Sequence, residues 1–418
     1  MNRFPAALLC AATLAPAMRA DDGGVPITRA EMKAAVERQK EAKPRLPLPP
    51  GAGPRGNNGA MQAHYLPAEW RGPQRPPNAG KPGERPRDAK GRTGGNSLLG
   101  DYGTELFWIV SRANDCRYCM GHQEVKLATA GYDDDRIAKL DGDWQTLTPG
   151  ERAGLAYARK ATLEPHRGLD AELEALTKHF PPPKVLAIVA TVAGFNRTNR
   201  WTGSLNITQD REPFGRSESL AGGVSPTFAA QPTLVAPRAE IVRGPLPDRA
   251  EAHRRIAEAA TRTPHPLFSA APKHAGLPGW TRVVATTAED AAAQVKQREA
   301  LFAAGTLPTL LKAEIHWVCA RHDRAWTALA DAARRLKALG LDEDAMFALD
   351  DPARRAPADR AALALAERIT VAPQRIAEAD FAPLRGPFND RGIAEIVWVS
   401  ASANWFDRVT EPFRVPVD

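Results

Sequence analysis

Two stretches of this chain match each other at a nearly constant offset, and that match constrains the fold more than any other feature. A displacement of 209 positions pairs Glu105 with Glu314, Trp108 with Trp317, Arg112 with Arg321, Leu127 with Leu336, Gly131 with Gly340 and Asp133 with Asp342. A displacement of 208 continues the match: Arg152 with Arg360, Leu155 with Leu363, Thr162 with Thr370, Pro165 with Pro373, Asn196 with Asn404 and Arg200 with Arg408. Between the identities the character also agrees, as at Ile109/Val318, Met120/Leu329 and Lys126/Arg335. An offset that holds over roughly 100 residues describes two copies of one unit, packed on each other as a pseudo-dimer.

The unit itself reads as all-α, because no run alternates convincingly with a period of two. Residues 105–110 are helical in context, and Asp115 can cap a second helix over residues 116–130 that Gly131 ends. Thr148-Pro149-Gly150-Glu151 is a capping box with Pro in the first turn, opening a helix through Lys160. Two further helices are expected over residues 170–179 and 184–200, the latter carrying Val185, Leu186, Ile188, Val189 and Val192 for the core. The first unit therefore occupies residues 98–215 and the second residues 248–418. A Pro-punctuated linker over 216–247 separates them. Ahead of both lies a Pro/Gly-rich basic segment, 21–97, with one short helix from Arg29 that Pro44 stops; the rest is expected to be extended and disordered.

Charge and the amino terminus restrict the partners. The net charge is +7, and residues 21–100 hold fourteen Lys/Arg against eight Asp/Glu, so +6 of the excess sits in that arm. Its cations are spread among Pro and Gly without interleaved aromatics, which describes a solvated tether and no nucleic-acid contact. Residues 1–20 have a secretory signal pattern: Arg3, an apolar run over 4–16, then small residues at Ala15-Pro16-Ala17 or Met18-Arg19-Ala20. Export to a periplasmic or extracellular space is the expectation. The apolar run ahead of Cys10 is too short for a lipid-attachment site. No transmembrane segment is expected, since the best apolar stretch, 185–195, falls short of the ~20 residues needed to span. Beyond Cys10 the cysteines are Cys116, Cys119 and Cys319, too few for a disulfide scaffold.

The informative chemistry is Cys116-Arg117-Tyr118-Cys119-Met120-Gly121-His122, with Glu105 on the preceding helix. At about 100° per residue, Cys119 lies about 60° around the helix from Cys116 and His122 about 60° further, so the three share a face. A thiolate can attack, an imidazole can relay its proton, a second thiol can close a disulfide, and a carboxylate can orient the imidazole. Two other readings stay open on the residues alone: an oxidised structural pair, and a zinc site built from Cys116, Cys119, His122 and Glu105. Haem attachment is excluded, because Met120 follows Cys119 where it requires His. The His316, Cys319 and His322 cluster is expected to be core, since Cys319 aligns with Val110 and His316 with Phe107. Asn196, Asn404, Arg200 and Arg408 recur in a copy without thiols and are expected to be structural.

Glu, then CxxC, then His resembles the alkylhydroperoxidase (AhpD-like) and carboxymuconolactone decarboxylase family, with Glu105, Cys116, Cys119 and His122 in the matching places. The run from Trp280 through Arg298-Glu299-Ala300-Leu301-Phe302 to Glu314 is similar to the helix and turn preceding the family's Glu. The resemblance implies a small helical bundle that oligomerises, peroxidase activity of the peroxiredoxin type on organic hydroperoxides through the CxxC pair, and a Glu/His proton relay. It implies no cofactor and no metal, a hydroperoxide substrate and a thiol reductant that the sequence leaves unidentified. Family precedent makes Cys119 the attacking thiolate and Cys116 the resolving thiol, whereas the helix dipole favours Cys116 as the thiolate. The chain departs from the pattern in placing two residues, not three, between the second Cys and His, with Gln123 at the usual His position. In the second unit Ala325, Ala328 and Asp331 replace Cys116, Cys119 and His122, so that copy is expected to be redox-dead and to supply the packing surface a homo-oligomeric relative takes from a second subunit. The competing expectation, from a different class, is a non-catalytic structural or binding protein with an oxidised or zinc-bound CxxC.

Overall fold

The computed structural model describes residues 24–50, 56–71, 98–210, 224–237, 241, 243–351 and 356–417; the signal pattern over 1–20 lies outside them. The architecture is all-helical, with no β-strand among the described residues. The helices are α1 (Arg29–Arg38), α2 (Gly56–Tyr65), α3 (Asp101–Ala113), α4 (Arg117–Thr129), α5 (Asp134–Gly142), α6 (Pro149–Leu163), α7 (Asp170–His179) and α8 (Pro182–Ser204). There follow α9 (Arg249–Thr261), α10 (Pro266–Ala270), α11 (Thr281–Val284), α12 (Ala288–Ala303), α13 (Thr309–Asp323), α14 (Trp326–Ala338), α15 (Glu343–Phe347), α16 (Pro357–Val371), α17 (Glu378–Phe381) and α18 (Asp390–Thr410). Among the described residues no helix is long and apolar enough to cross a membrane.

Local chemistry explains where the helices begin and end. Thr148 and Glu151 form the expected capping box at α6, with Pro149 in its first turn. Gly131 and Gly340 follow α4 and α14 at φ 90° and 91°, a backbone state that glycine adopts without cost. Asp115 does not cap α4 as expected. It takes a left-handed φ of 49° and pairs with Arg117 at 3.2 Å, which makes Cys116 the N-cap, with no side-chain bond across the cap.

Positions 208 or 209 apart in the chain carry the same bonds. The Cys116 amide donates to Ser111 O at 2.9 Å and the Ala325 amide to Ala320 O at 3.0 Å, each after a left-handed residue, Asp115 or Arg324. Asn196 donates to Thr162 Oγ1 at 3.0 Å, and Asn404 to Thr370 Oγ1 at 2.8 Å. Arg112 pairs with Asp141 and Arg321 with Asp350, in both cases from the helix before the CxxC position to the segment beyond the next one.

The long helices α8 and α18 pack on each other at the centre, with Trp201 edge-on to Trp398 at 5.3 Å. Arg408 of α18 reaches across to donate to Ala161 O at 2.8 Å, while its guanidinium pairs with the fully buried Asp323 at 2.6 Å. Burying such an ion pair costs desolvation that only close geometry and added hydrogen bonds offset, and Arg408 has both.

In the arm ahead of the first unit, the described residues 44–50 and 56–71, expected as disordered chain, contain α2 and bury Leu46, Met61, Tyr65, Leu66 and Trp70, while 72–97 lie outside the described residues. Trp70 donates to Ala300 O at 2.8 Å, and Arg45 donates to Ser204 O at 2.8 Å and Ile376 O at 2.6 Å, so the arm contacts both halves. Met61 and Tyr65, one turn apart, share the buried face of α2. The linker after α8 is likewise anchored, with Thr233, Val235 and Ala236 buried.

Candidate active site: a buried dithiol beneath Thr202

The turn between α3 and α4 delivers the thiols. With its amide tied to Ser111 O, Cys116 sits at the mouth of α4, and Cys119 follows one turn on. Both thiols are free and nearly fully buried, at 1% and 2% exposure. The last turn of α8 covers them: Thr202 Oγ1 lies 3.1 Å from Cys116 Sγ and 3.1 Å from Cys119 Sγ. The same hydroxyl donates to Thr198 O at 2.9 Å, so that carbonyl and the sulfurs compete for its one proton. A Cβ on the adjacent Gly203 would stand 3.9 Å from Cys116 Sγ, so the helix backbone itself closes over the sulfur.

This arrangement makes the two thiols unequal. Burial alone would push the Cys116 thiol up, but hydrogen bonds from Cys119 and Thr202 outweigh it and hold Cys116 below the usual thiol range. Cys119 is driven well above that range by burial and by its position as donor to a neighbouring thiolate. Of the two thiols, Cys116 is therefore the readier to ionise and Cys119 the one that holds its proton more tightly.

His122 is oriented by other groups. Its Nε2 lies 3.0 Å from Asp210 Oδ2, and its Nδ1 lies 2.9 Å from Tyr118 O and 3.1 Å from Gln209 Nε2. Asp210 also accepts from the Tyr118 hydroxyl at 3.1 Å and from the Asn57 amide at 2.8 Å. Burial would raise the Asp210 carboxyl, yet the bonds from His122 and Asn57 hold it below the usual carboxylate range. A Cβ at Gly121 would meet Gln209 Nε2 at 2.8 Å, so the Gln209 amide packs directly against this glycine.

Glu105 is bound by another group. It accepts from the Tyr132 hydroxyl at 2.6 Å, and burial raises its carboxyl. The hydrogen bonds described here thus run from Glu105 to Tyr132, from His122 to Asp210, Tyr118 and Gln209, and from the two thiols to Thr202.

Four residues of this neighbourhood escaped sequence reasoning: Thr202, Gln209, Asp210 and Glu124. Thr202 had a signal, because Thr410 stands 208 positions later. Asp210 and Gln209 lie in a stretch without periodicity and had none. Glu124 accepts from Trp108 Nε1 at 2.7 Å and binds Arg29 at 3.1 and 3.0 Å and Lys33 at 3.1 Å. Although burial opposes it, those cations lower its carboxyl to about 2.

At the matching places of the second half, Ala325 and Ala328 are buried and Asp331 is held by Arg298 at 2.5 Å and Arg335 at 3.1 Å. Cys319 is enclosed in the core, and burial pushes its thiol up. Among the described residues no group of three or more His, Cys, Asp or Glu side chains is placed to hold a metal ion. No protein-family model matches this chain, and no curated protein matches it either.

Proposed function

We propose that this chain is an exported dithiol peroxidase, similar to the AhpD-like family, with two helical repeats packed as a pseudo-dimer and only the first repeat active. The observation that carries the reading is the shared hydroxyl: Thr202 Oγ1 stands 3.1 Å from both sulfurs, and Cys116 is the more acidic of the two. The recurrence of the Thr162–Asn196 bond as Thr370–Asn404 supports the repeat arrangement.

The chemistry balances with these residues. Cys116 thiolate attacks the terminal oxygen of a hydroperoxide; the S–O bond forms as the O–O bond breaks, and the departing alkoxide takes the Cys119 thiol proton to leave as an alcohol. The Cys119 thiolate then attacks the Cys116 sulfenic sulfur, closing a disulfide and expelling hydroxide, which solvent protonates to water. Two thiols are oxidised and one peroxide is reduced. An external thiol reductant returns the disulfide to the dithiol. Family precedent gives the first attack to Cys119, whereas the electrostatics favour Cys116.

A single-turnover thiol count tests this. The reduced, metal-free protein is mixed with cumene hydroperoxide and its free thiols are counted against time. Rapid loss of two thiols is expected; loss no faster than in the denatured chain would refute the enzyme. The near-complete burial of both sulfurs favours the second reading, a structural thiol pair, and the same assay separates them.

A further inference from the structure

A cleft of about 770 Å³ opens beside the dithiol, with Thr202 and Gly203 among its lining residues. Thr202 Oγ1 is 3.1 Å from Cys116 Sγ, and Asp115 and Arg117 on either side of Cys116 also line the cleft, so the sulfur lies directly behind this wall. Besides the end of α8 and the segment before α1, its walls include the end of α1 and the strap after it, the first turn of α4, and the turn after α16. Each of these last three supplies arginine. Arg38, Arg45, Arg117 and Arg375 line the cleft against a single carboxylate, Asp115. Asp115 pairs with Arg117 at 3.2 Å, Arg45 donates to Ser204 O and Ile376 O, and Arg38 and Arg375 are exposed. The amides of Asn114 and Asn199 add polar groups to the same lining.

A cleft lined by one sign of charge concentrates ligands of the opposite sign. We propose that the substrate is an organic hydroperoxide bearing an anionic group, a carboxylate or phosphate. Its anion rests among Arg38, Arg45 and Arg375 while its hydroperoxide end reaches Cys116 beneath Thr202. This rests on the peroxidase reading above. It explains why the arm is folded onto both halves: Arg38 and Arg45 come from the arm and Arg375 from the second half, so the cationic wall exists only when all three parts are assembled.

The test compares hydroperoxyhexanoic acid with its methyl ester in single-turnover thiol oxidation, at low and high salt, on the full-length reduced protein. The acid is expected to react about tenfold faster or more at low salt, with the advantage shrinking as salt rises. Arg38→Ala and Arg375→Ala, both at exposed positions, are expected to bring the acid-to-ester ratio toward one. A third arm measures alkylation of Cys116 by iodoacetamide with hexanoate or methyl hexanoate present; hexanoate alone is expected to protect. Equal rates for acid and ester, without protection by hexanoate, overturn the anionic-substrate assignment and leave the peroxidase reading standing. Failure of both hydroperoxides to outpace the denatured chain overturns the peroxidase reading, and the substrate assignment with it, whatever hexanoate does.

Discussion

Replacing Thr202 by Val removes one hydroxyl and keeps the side-chain shape, which isolates what that group does for the two sulfurs 3.1 Å away. Thr202 is fully buried, so water cannot take over the lost bond. A hydrogen bond to a charged acceptor contributes about 1.5–3 kcal/mol. Thr198 O, 2.9 Å away, competes for the same single proton, so loss of the hydroxyl shifts the thiol–thiolate balance of Cys116 toward the neutral form by at most that order. At a pH below the thiolate midpoint the thiolate fraction then falls by up to roughly tenfold, since about 1.4 kcal/mol is a factor of ten. Because Cys116 starts below the usual thiol range, the sign is clear: the pH profile of alkylation moves upward in Thr202→Val. The assay is iodoacetamide modification of the reduced protein across pH, with the modified cysteine located by mass spectrometry. Circular dichroism checks that the variant is folded. An unchanged profile in a folded variant would show that Thr202 does not hold the thiolate, and the proposed chemistry would lose its main support.

Three further outcomes follow from the same geometry. Cys119→Ser should stop the reaction at a sulfenic acid on Cys116, trapped by dimedone, while Cys116→Ser should give no adduct; an adduct on Cys119 in Cys116→Ser would restore the family assignment. Glu124, lowered from 4.5 to about 2 beside Arg29 and Lys33, contributes on the order of 3 kcal/mol that is fully present above its unfolded value and lost as pH falls through 4.5 toward 2. Urea unfolding of wild type and Glu124→Gln across that window should converge at the acid end; curves that stay parallel would contradict the assignment. Gly154→Ala places a Cβ 1.8 Å from the Tyr102 hydroxyl oxygen and 2.8 Å from its ring carbon, so the ring must move, and thermal melts should show about 1–3 kcal/mol of destabilisation. A variant as stable as wild type would mean that the ring swings aside freely.

Much of the local structure was legible because its causes are local. The Thr148–Glu151 capping box, the helix stops at Gly131 and Gly340, and the absence of period-two runs each depend on residues within a turn of one another. Asp115 was misjudged for the opposite reason. A sequence signal for a cap cannot show that the neighbouring Arg117 claims the carboxylate and that the chain must reverse sharply enough to bring Cys116 N to Ser111 O. Residues 44–50 and 56–71 of the arm were misjudged too: Leu46, Met61 and Trp70 form no apolar stripe on any one helix, and their burial comes from surfaces that exist only after the rest of the chain has folded.

At the site, the sequence by itself determined that two thiols one helical turn apart would share a face, since spacing of three along a helix allows nothing else. It also determined that the second half, with alanines at the matching places, cannot repeat the dithiol chemistry. Tertiary structure decided the partners. Glu105 takes its bond from Tyr132 and His122 pairs with Asp210, partners that lie beyond the motif's helix and that no local pattern announces. Thr202 reaches both sulfurs because α8 ends over the start of α4. A hydrogen bond acts only over about 3 Å, so which groups interact at a site is set by where the helices cross, and crossings are a property of the packed chain.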